Sequence, residues 1–157
     1  MKTNLRDGEP GKAALIVGAG DATGSAIARR FAREGYIACL ARRSADQLQP
    51  LVDAIRTEGG EARGFAADAR KEDQVAELID TIESEVGPIE AFVFNIGANV
   101  PCGILDETPR KFFKIWEMAC FAGFLSKDAI IESAYAGGTP TAMFAFWVTS
   151  SNVPSPR

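Results

Sequence analysis

The sequence predicts an α/β protein with a doubly wound parallel sheet of about five strands and helices on both faces. Short apolar segments of strand length alternate with segments that have helical periodicity. A glycine-rich turn follows the first apolar segment, and turn residues separate the later ones. Strands connected by helices run parallel through right-handed crossovers, which bury both faces of the sheet.

The first strand candidate is apolar on both faces, as expected for a fully buried strand, and the second and fourth candidates are also expected to be buried. The third is a shorter strand candidate, which lies between two helical segments as the alternating pattern requires. The five candidates are 13–17, 36–41, 61–67, 89–95 and 142–148.

The first three helix candidates each have an apolar stripe and recognisable end signals. The first begins near Thr23, and Gly35 ends it in the position of a left-handed C-cap. Ser44 is an N-cap candidate for the second, in which Pro50 is expected to weaken or kink the helix. The third spans 71–86 and ends before a Gly-Pro breaker.

A long helix is predicted after Thr108, which can cap it, with Pro109 in the first turn. Its apolar surface is larger than one sheet face needs. Either the helix is wedged between the sheet and a neighbouring loop, or the segment 108–134 packs partly on a second copy and forms a homodimer. The residues that cover it are Phe112, Phe113, Ile115, Trp116, Ala119 and Phe121.

The glycine-rich turn has the spacing Gly18-x-Gly20-x-x-x-Gly24, directly between a strand and a helix. Backbone N–H groups and the helix dipole bind phosphate in such a place, although loops also use glycine for purely steric reasons. We expect the turn to bind a dinucleotide pyrophosphate. The residues predicted to contact the cofactor here are Gly18, Gly20, Asp21, Ala22, Thr23 and Gly24.

The end of the second strand, about twenty residues beyond the turn, discriminates between dinucleotides. An acidic residue there would bind the ribose 2′-OH of NAD, but this chain has Arg42 and Arg43. Guanidinium groups bind a 2′-phosphate through paired, charge-assisted hydrogen bonds, which favours NADP(H) over NAD(H). The alternative is that the two arginines cap a surface loop, and Asp21 adds negative charge nearby.

Two later strand ends carry polar residues and glycine where ligands of open α/β sheets bind. Asp68 and Ala69 follow the third strand, and the carboxylate can accept from an adenine amino group. Asn95 and Gly97 follow the fourth strand. Each pair alone could be turn chemistry, but their occurrence at successive strand ends predicts one continuous cofactor site.

Length and composition fit one Rossmann-like dinucleotide-binding domain over 12–151, between a flexible N-terminal tail at 1–11 and a C-terminal tail at 152–157. The 157 residues are 46% hydrophobic with a net charge of -4, which gives no nucleic-acid footprint. The polar tail is unlike a secretion signal, and no apolar run reaches the length of a membrane span.

The three cysteines (Cys39, Cys102 and Cys120) show no metal-site spacing and cannot all pair, and histidine is absent. We expect reduced thiols with packing roles, no bound metal and a cytoplasmic location.

These motifs resemble the short-chain dehydrogenase/reductase family to about residue 130. The family's turn, Thr-Gly-x-x-x-Gly-x-Gly, is matched at Gly18 and Gly24, whereas Val17 replaces the threonine and Ala22 the middle glycine. Asp68 matches the family's aspartate that contacts adenine. The family's Asn-Asn-Ala-Gly motif corresponds to Phe94-Asn95-Ile96-Gly97, and 115–125 resembles its central helix, with Ala119 at the catalytic asparagine.

The resemblance implies hydride transfer between NADP(H) and a carbonyl or alcohol, with a Tyr-x-x-x-Lys pair as the acid/base centre. That pair is missing, because Tyr36 and Tyr135 are followed four positions later by Leu40 and Thr139, and no lysine follows Lys127. The candidates for the family's catalytic serine are Ser150 and Ser151.

Three functions are compatible with the sequence. The first is an NADP(H)-binding member of the family that lacks its catalytic half. The second is an active oxidoreductase whose acid is unrecognised or comes from a partner chain. The third is a cofactor-free interaction protein that dimerises through its long apolar helix. The poor match after residue 133 or so suggests a truncated or frame-shifted product.

Overall fold

The computed structural model describes residues 11–20, 22–97, 103–137 and 142–145. Within them lies a five-stranded parallel sheet. Its strands are β1 (Ala13–Val17), β2 (Ile37–Arg42), β3 (Glu61–Ala66), β4 (Ile89–Phe94) and β5 (Ala142–Ala145). The strand candidates agree with these to within one residue at each described end, and the remainder of the fifth candidate, 146–148, lies outside the described residues.

Five α-helices connect and flank the strands within the same residues. They are α1 (Ala22–Arg33), α2 (Gln49–Thr57), α3 (Glu72–Glu85), α4 (Pro109–Trp116) and α5 (Ala122–Gly137). Short 3₁₀ turns precede α2 and α4, at Ala45–Leu48 and Ile104–Asp106, and a π-helical turn at Glu117–Phe121 joins α4 to α5. No helix in this part of the chain has both the length and the apolar character to cross a bilayer.

The strand order is β3-β2-β1-β4-β5, so the predicted doubly wound sheet is confirmed. The chain winds outward from β1 to β3 and then returns to the other side of β1 to form β4. The order therefore reverses between β1 and β4. In open α/β sheets this switch point forms the ligand crevice beyond the carboxyl ends of the strands.

Alternating residues of the central strands build two separate cores, one on each face of the sheet. Leu15 and Phe92 point to the face that α3 and α5 cover, where Ile82 and Ile130 are fully buried. The opposite face packs on α1 and α2 and is lined by residues such as Ile16, Leu40, Val93, Ala28 and Ile55. The helices on both faces follow from strands that are apolar on both sides.

The predicted start of the second helix is wrong in its details. Ser44 precedes the 3₁₀ turn and makes no side-chain cap hydrogen bond. Pro50 is the second residue of α2, where the amide N–H that proline lacks has no intrahelical acceptor, so no kink arises. The expected C-cap of the first helix is confirmed, since Gly35 has a φ of 90°.

The long helix begins as predicted, with Thr108 Oγ1 accepting a 3.3 Å hydrogen bond from the Lys111 N–H. It is divided by the π-turn into two parts with different environments. α5 packs on α3, where Ser133 Oγ donates to Glu83 Oε2 over 2.5 Å. No residue of α4 is buried within the described part of the chain.

Candidate functional site

The turn after β1 requires a glycine at position 18. Its φ of 90° lies in the left-handed region, and its N–H donates to the Ala41 carbonyl over 2.9 Å. A Cβ at this position would stand 2.6 Å from the Asn95 carbonyl oxygen. The turn therefore presses its backbone against the end of β4, and a side chain would separate them.

Gly24 brings the first turn of α1 equally close to the glycine turn. It is buried, and a Cβ there would stand 2.5 Å from the Gly18 carbonyl oxygen. Since α1 starts at Ala22, the N-terminal end of the helix lies directly at the turn. Among its described first-turn residues none is acidic, so the helix dipole there favours an anion.

Asn95 connects the ends of β1 and β4. Its side chain is 4% exposed, and its backbone N–H donates to the Val17 carbonyl over 2.8 Å. Its side-chain Nδ2 donates to the Gly18 carbonyl over 3.0 Å. The amide that the sequence places at the end of the fourth strand thus holds the glycine turn in position.

Arg42 is the last residue of β2, and its guanidinium lies directly on Gly20. A Cβ at Gly20 would come 2.3 Å from Arg42 Nη1 and 2.8 Å from Cζ. Within the described residues this guanidinium makes no hydrogen bond and no ion pair. Its donors are therefore available to a ligand. Arg43, the next residue, is exposed at the same strand end.

Asp68 is held by Arg70, a residue that sequence reasoning missed. Arg70 Nε donates to Asp68 Oδ1 over 2.9 Å, and Arg70 Nη2 donates to Oδ2 over 2.5 Å. This hydrogen bonding is the main cause that lowers the pKa of Asp68 to about 2. Both carboxylate oxygens are thus engaged, which leaves only their remaining lone pairs for the predicted adenine contact.

Arg70 also connects the end of β3 with the π-turn. Its Nη1 stands 3.7 Å from Glu117 Oε2, and the neighbouring Met118 lines the same cleft as Arg70. A signal for Arg70 existed, since a cation two residues after Asp68 in a turn can reach back to the carboxylate. No sequence signal placed Glu117 and Met118 here, because the position of a π-turn depends on packing.

The cleft at the switch point has a volume of about 560 Å³, a size typical of small-molecule sites. The structure brings eight of the predicted site residues to its wall: Gly18, Gly20, Arg42, Arg43, Asp68, Ala69, Asn95 and Gly97. Ala22, Thr23 and Gly24 form the start of α1 beside it. Asp21, Ser150 and Ser151 lie outside the described residues.

A dinucleotide fits these residues chemically. The close approach at Gly18 and Gly24 leaves a concave backbone surface at a helix N-terminus, which suits a pyrophosphate. The uncommitted guanidinium of Arg42 supplies positive charge beside that surface, where a further phosphate can be bound.

Comparisons with known proteins agree on one family. The model of the family described as short chain dehydrogenase matches residues 12–139. A short chain dehydrogenase of Pseudocercospora fijiensis is 32% identical over 127 residues, which cover 78% of this chain and 40% of that protein. The chain therefore spans well under half the length of this curated relative.

Two solved structures extend the comparison. A short-chain dehydrogenase from Rhodopseudomonas palustris superposes with a TM-score of 0.77 at 40% identity, covering 85% of this chain and 62% of that one. A metagenomic short-chain oxidoreductase in complex with NADP has a TM-score of 0.78 at 23% identity, covering 87% and 62%. The second likeness concerns the fold alone.

Proposed function

This chain belongs to the short-chain dehydrogenase family, and from that premise we propose that it binds NADP(H) in the cleft at the switch point of its sheet. The observation that carries the proposal is the Arg42 guanidinium, which lies on the glycine turn without a protein acceptor among the described residues. A buried or half-buried cation without a partner is costly, and a ligand phosphate would relieve that cost.

Different residues of the cleft bind different parts of the cofactor. The glycine turn and the start of α1 bind the pyrophosphate through backbone N–H groups. Asp68 and Ala69 flank the adenine, and Asn95 and Gly97 flank the opposite part of the cleft beyond β4. In this family the bound cofactor supplies or accepts a hydride at a carbonyl or alcohol carbon.

Arg42 and Arg43 give the site its preference for NADP(H) over NAD(H). Each hydrogen bond from a guanidinium to a phosphate is worth about 1.5–3 kcal/mol, and about 1.4 kcal/mol corresponds to a tenfold change in affinity. Asp21, which belongs to the same turn in the sequence, works against this preference through its charge.

We propose that this chain transfers hydride poorly by itself. The 157 residues contain no Tyr-x-x-x-Lys pair, and Ala119 stands where the family has a catalytic asparagine. General acid–base catalysis contributes about 10²–10⁴-fold, so its loss would leave binding with little turnover. The alternative is an active oxidoreductase whose acid is unrecognised or supplied by another chain.

A binding titration tests the cofactor proposal directly. We expect NADPH to bind the purified chain at submillimolar concentration, with NADH at least about tenfold weaker, as one to two lost phosphate contacts imply. Arg42→Gln should reduce this difference, whereas Arg110→Gln, the same charge change at the exposed start of α4, should not. Absence of NADPH binding at that concentration contradicts the proposal.

Turnover is tested separately by following NADPH oxidation over a panel of carbonyl compounds. We expect no oxidation above background. Activity that persists after rigorous removal of contaminating reductases would favour the alternative of an unrecognised acid.

A second candidate function is dimerisation without a cofactor. The observation that favours it is the exposure of Phe112 (63%), Phe113 (61%) and Trp116 (42%) on α4. Such an aromatic cluster on one helix is typical of interaction surfaces. Dimerisation itself does not compete with cofactor binding, since the cluster belongs to α4 and the cleft to the strand ends, so the titration of NADPH distinguishes the two candidates.

A cytoplasmic location remains a proposal, and the same holds for the absence of nucleic-acid and membrane partners. Within the described residues Cys39 and Cys120 carry free thiols, as is usual in reducing compartments. Burial raises the pKa of the Cys39 thiol to about 12, which suits a packing role in the core.

A further inference from the structure

We propose that Gly20 determines the cofactor preference by giving the Arg42 guanidinium its place on the glycine turn. The inference rests on the proposed function, because it concerns how the same cleft distinguishes NADP from NAD. It assigns the discrimination to a pair of residues, one of which has no side chain. Gly20 is then a positioning residue that acts through Arg42.

The geometry separates Gly20 from the other glycines of the turn. A Cβ at Gly18 or Gly24 would strike backbone atoms, whereas a Cβ at Gly20 would strike only the Arg42 side chain. The Arg42 atoms concerned are Nη1 at 2.3 Å, Cζ at 2.8 Å and Nε at 3.3 Å. The edge of the guanidinium thus occupies the space that a side chain at position 20 would fill.

The backbone itself would accept a side chain there. Gly20 is not among the described glycines with a positive φ, so alanine would cause no left-handed strain. The obstacle is the far end of a flexible side chain, which can move away. An alanine at position 20 should therefore leave the turn folded and displace the guanidinium of Arg42.

Moving the Arg42 guanidinium away from Gly20 should weaken phosphate binding, because the N–H donors of the guanidinium are not used by other groups of the described chain. Within the described residues Arg42 has no acceptor, while the neighbouring Arg43 is exposed and its charge acts on the Asp68 carboxylate. A half-buried, pre-positioned fork loses less rotamer entropy on binding a phosphate than an exposed one does. Arg42 should therefore contribute more to the preference than Arg43.

A double-mutant cycle tests the inference with NADP⁺ and NAD⁺ as probes in calorimetric titrations. The variants are Gly20→Ala, Arg42→Gln and the combination of both. Gly20→Ala should raise the Kd for NADP⁺ about tenfold, the loss expected of one charge-assisted contact, and change that for NAD⁺ less than about twofold. In the Arg42→Gln background Gly20→Ala should change neither value.

Two controls accompany the cycle. Gly64→Ala adds a methyl group on β3 at ordinary contact distance from Leu48, away from the cleft, and should leave both affinities unchanged. Arg43→Gln should reduce the preference less than Arg42→Gln does, and this comparison needs no change at Gly20. Far-ultraviolet circular dichroism establishes that each variant is folded.

The outcomes are distinguishable. A wild-type chain that binds neither cofactor overturns the proposed function and this inference together. A wild-type preference for NADP⁺ that Gly20→Ala leaves intact overturns the inference alone. So does a Gly20→Ala effect that is equal for both cofactors or persists in the Arg42→Gln background, since the turn itself would then be responsible.

Discussion

The side-chain amide of Asn95 donates a 3.0 Å hydrogen bond to the carbonyl oxygen of Gly18, across 77 positions of sequence. It joins the ends of β1 and β4 at the point where the strand order reverses. The shape of the glycine turn therefore depends on a residue of another strand, and the two predicted site motifs form one structural unit.

Replacing Asn95 by alanine is expected to destabilise the fold. The Gly18 carbonyl loses a donor in a buried place, which costs about 1–3 kcal/mol of the free energy of unfolding. Urea denaturation followed by circular dichroism measures this loss. The control is Gln49→Ala, because the Gln49 amide makes an exposed hydrogen bond to Asp53 and should cost only a few tenths of a kcal/mol. Equal effects of the two changes would contradict the structural role of Asn95.

Alanine substitutions at Gly18 and Gly59 distinguish the cost of left-handed backbone strain from the cost of a steric clash. Both have a positive φ, 90° and 85°, but a Cβ at Gly59 would meet nothing within 4 Å. Gly59→Ala should therefore cost about 1–2 kcal/mol from its left-handed conformation. Gly18→Ala should cost at least about 2 kcal/mol more, because the Asn95 backbone must move.

Thermal or urea unfolding of these two alanine variants provides the measurement. The affinity of the folded fraction of the Gly18→Ala variant for the cofactor is a second measurement. If the two variants lost the same stability, the close approach of Gly18 to Asn95 would not be a significant constraint.

The ion pair of Asp68 with Arg70 predicts a specific acid sensitivity. The pKa of Asp68 is lowered from 3.8 to about 2 in the folded chain. The folded state therefore favours the carboxylate, and this stabilisation is fully present above about pH 4 and is lost as the pH falls towards 2. Asp68→Asn should remove this part of the pH dependence.

Urea denaturation of the wild-type and Asp68→Asn chains between pH 6 and pH 2 tests the direction of this pH dependence. Their difference in unfolding free energy should shrink as the pH falls. Asp128→Asn serves as a control, since Asp128 pairs with Lys127 at 3.6 Å on the surface. A difference that stays constant down to pH 2 would show that the carboxylate of Asp68 is not stabilised by folding.

The exposed aromatic cluster of α4 predicts self-association. If Phe112, Phe113 and Trp116 pack on a second copy, the sedimentation coefficient should rise with protein concentration in the wild-type chain. Substituting Phe112 and Trp116 by serine should abolish that rise, whereas Tyr135→Ser, an exposed aromatic near the end of α5, should not. A wild-type chain that stays monomeric at high concentration would contradict the homodimer.

The sheet could be predicted from the sequence because β1, β2 and β4 are almost wholly apolar and helical segments alternate with the strands, while the mostly exposed β3 was placed by that alternation. The binding motifs followed, since topology brings the carboxyl ends of neighbouring strands together. Pro50 was misplaced because a 3₁₀ turn, which carries no distinct apolar period, delays the start of α2. Arg70 and the contact of Arg42 with Gly20 depend on side-chain rotamers, which no periodicity encodes.

The π-turn at Glu117–Phe121 has a consequence for the direction of the two helices that it joins. Because a π-turn takes up one extra residue, every later side chain points roughly 100° behind the direction that α-helical spacing counted from α4 predicts. The buried residues of α5, such as Leu125 and Ile130, therefore do not continue the helical spacing of the exposed aromatic residues of α4. The chain thus presents exposed aromatic residues before the π-turn and buried residues after it, and helical spacing counted straight through the turn would assign the wrong face to α5.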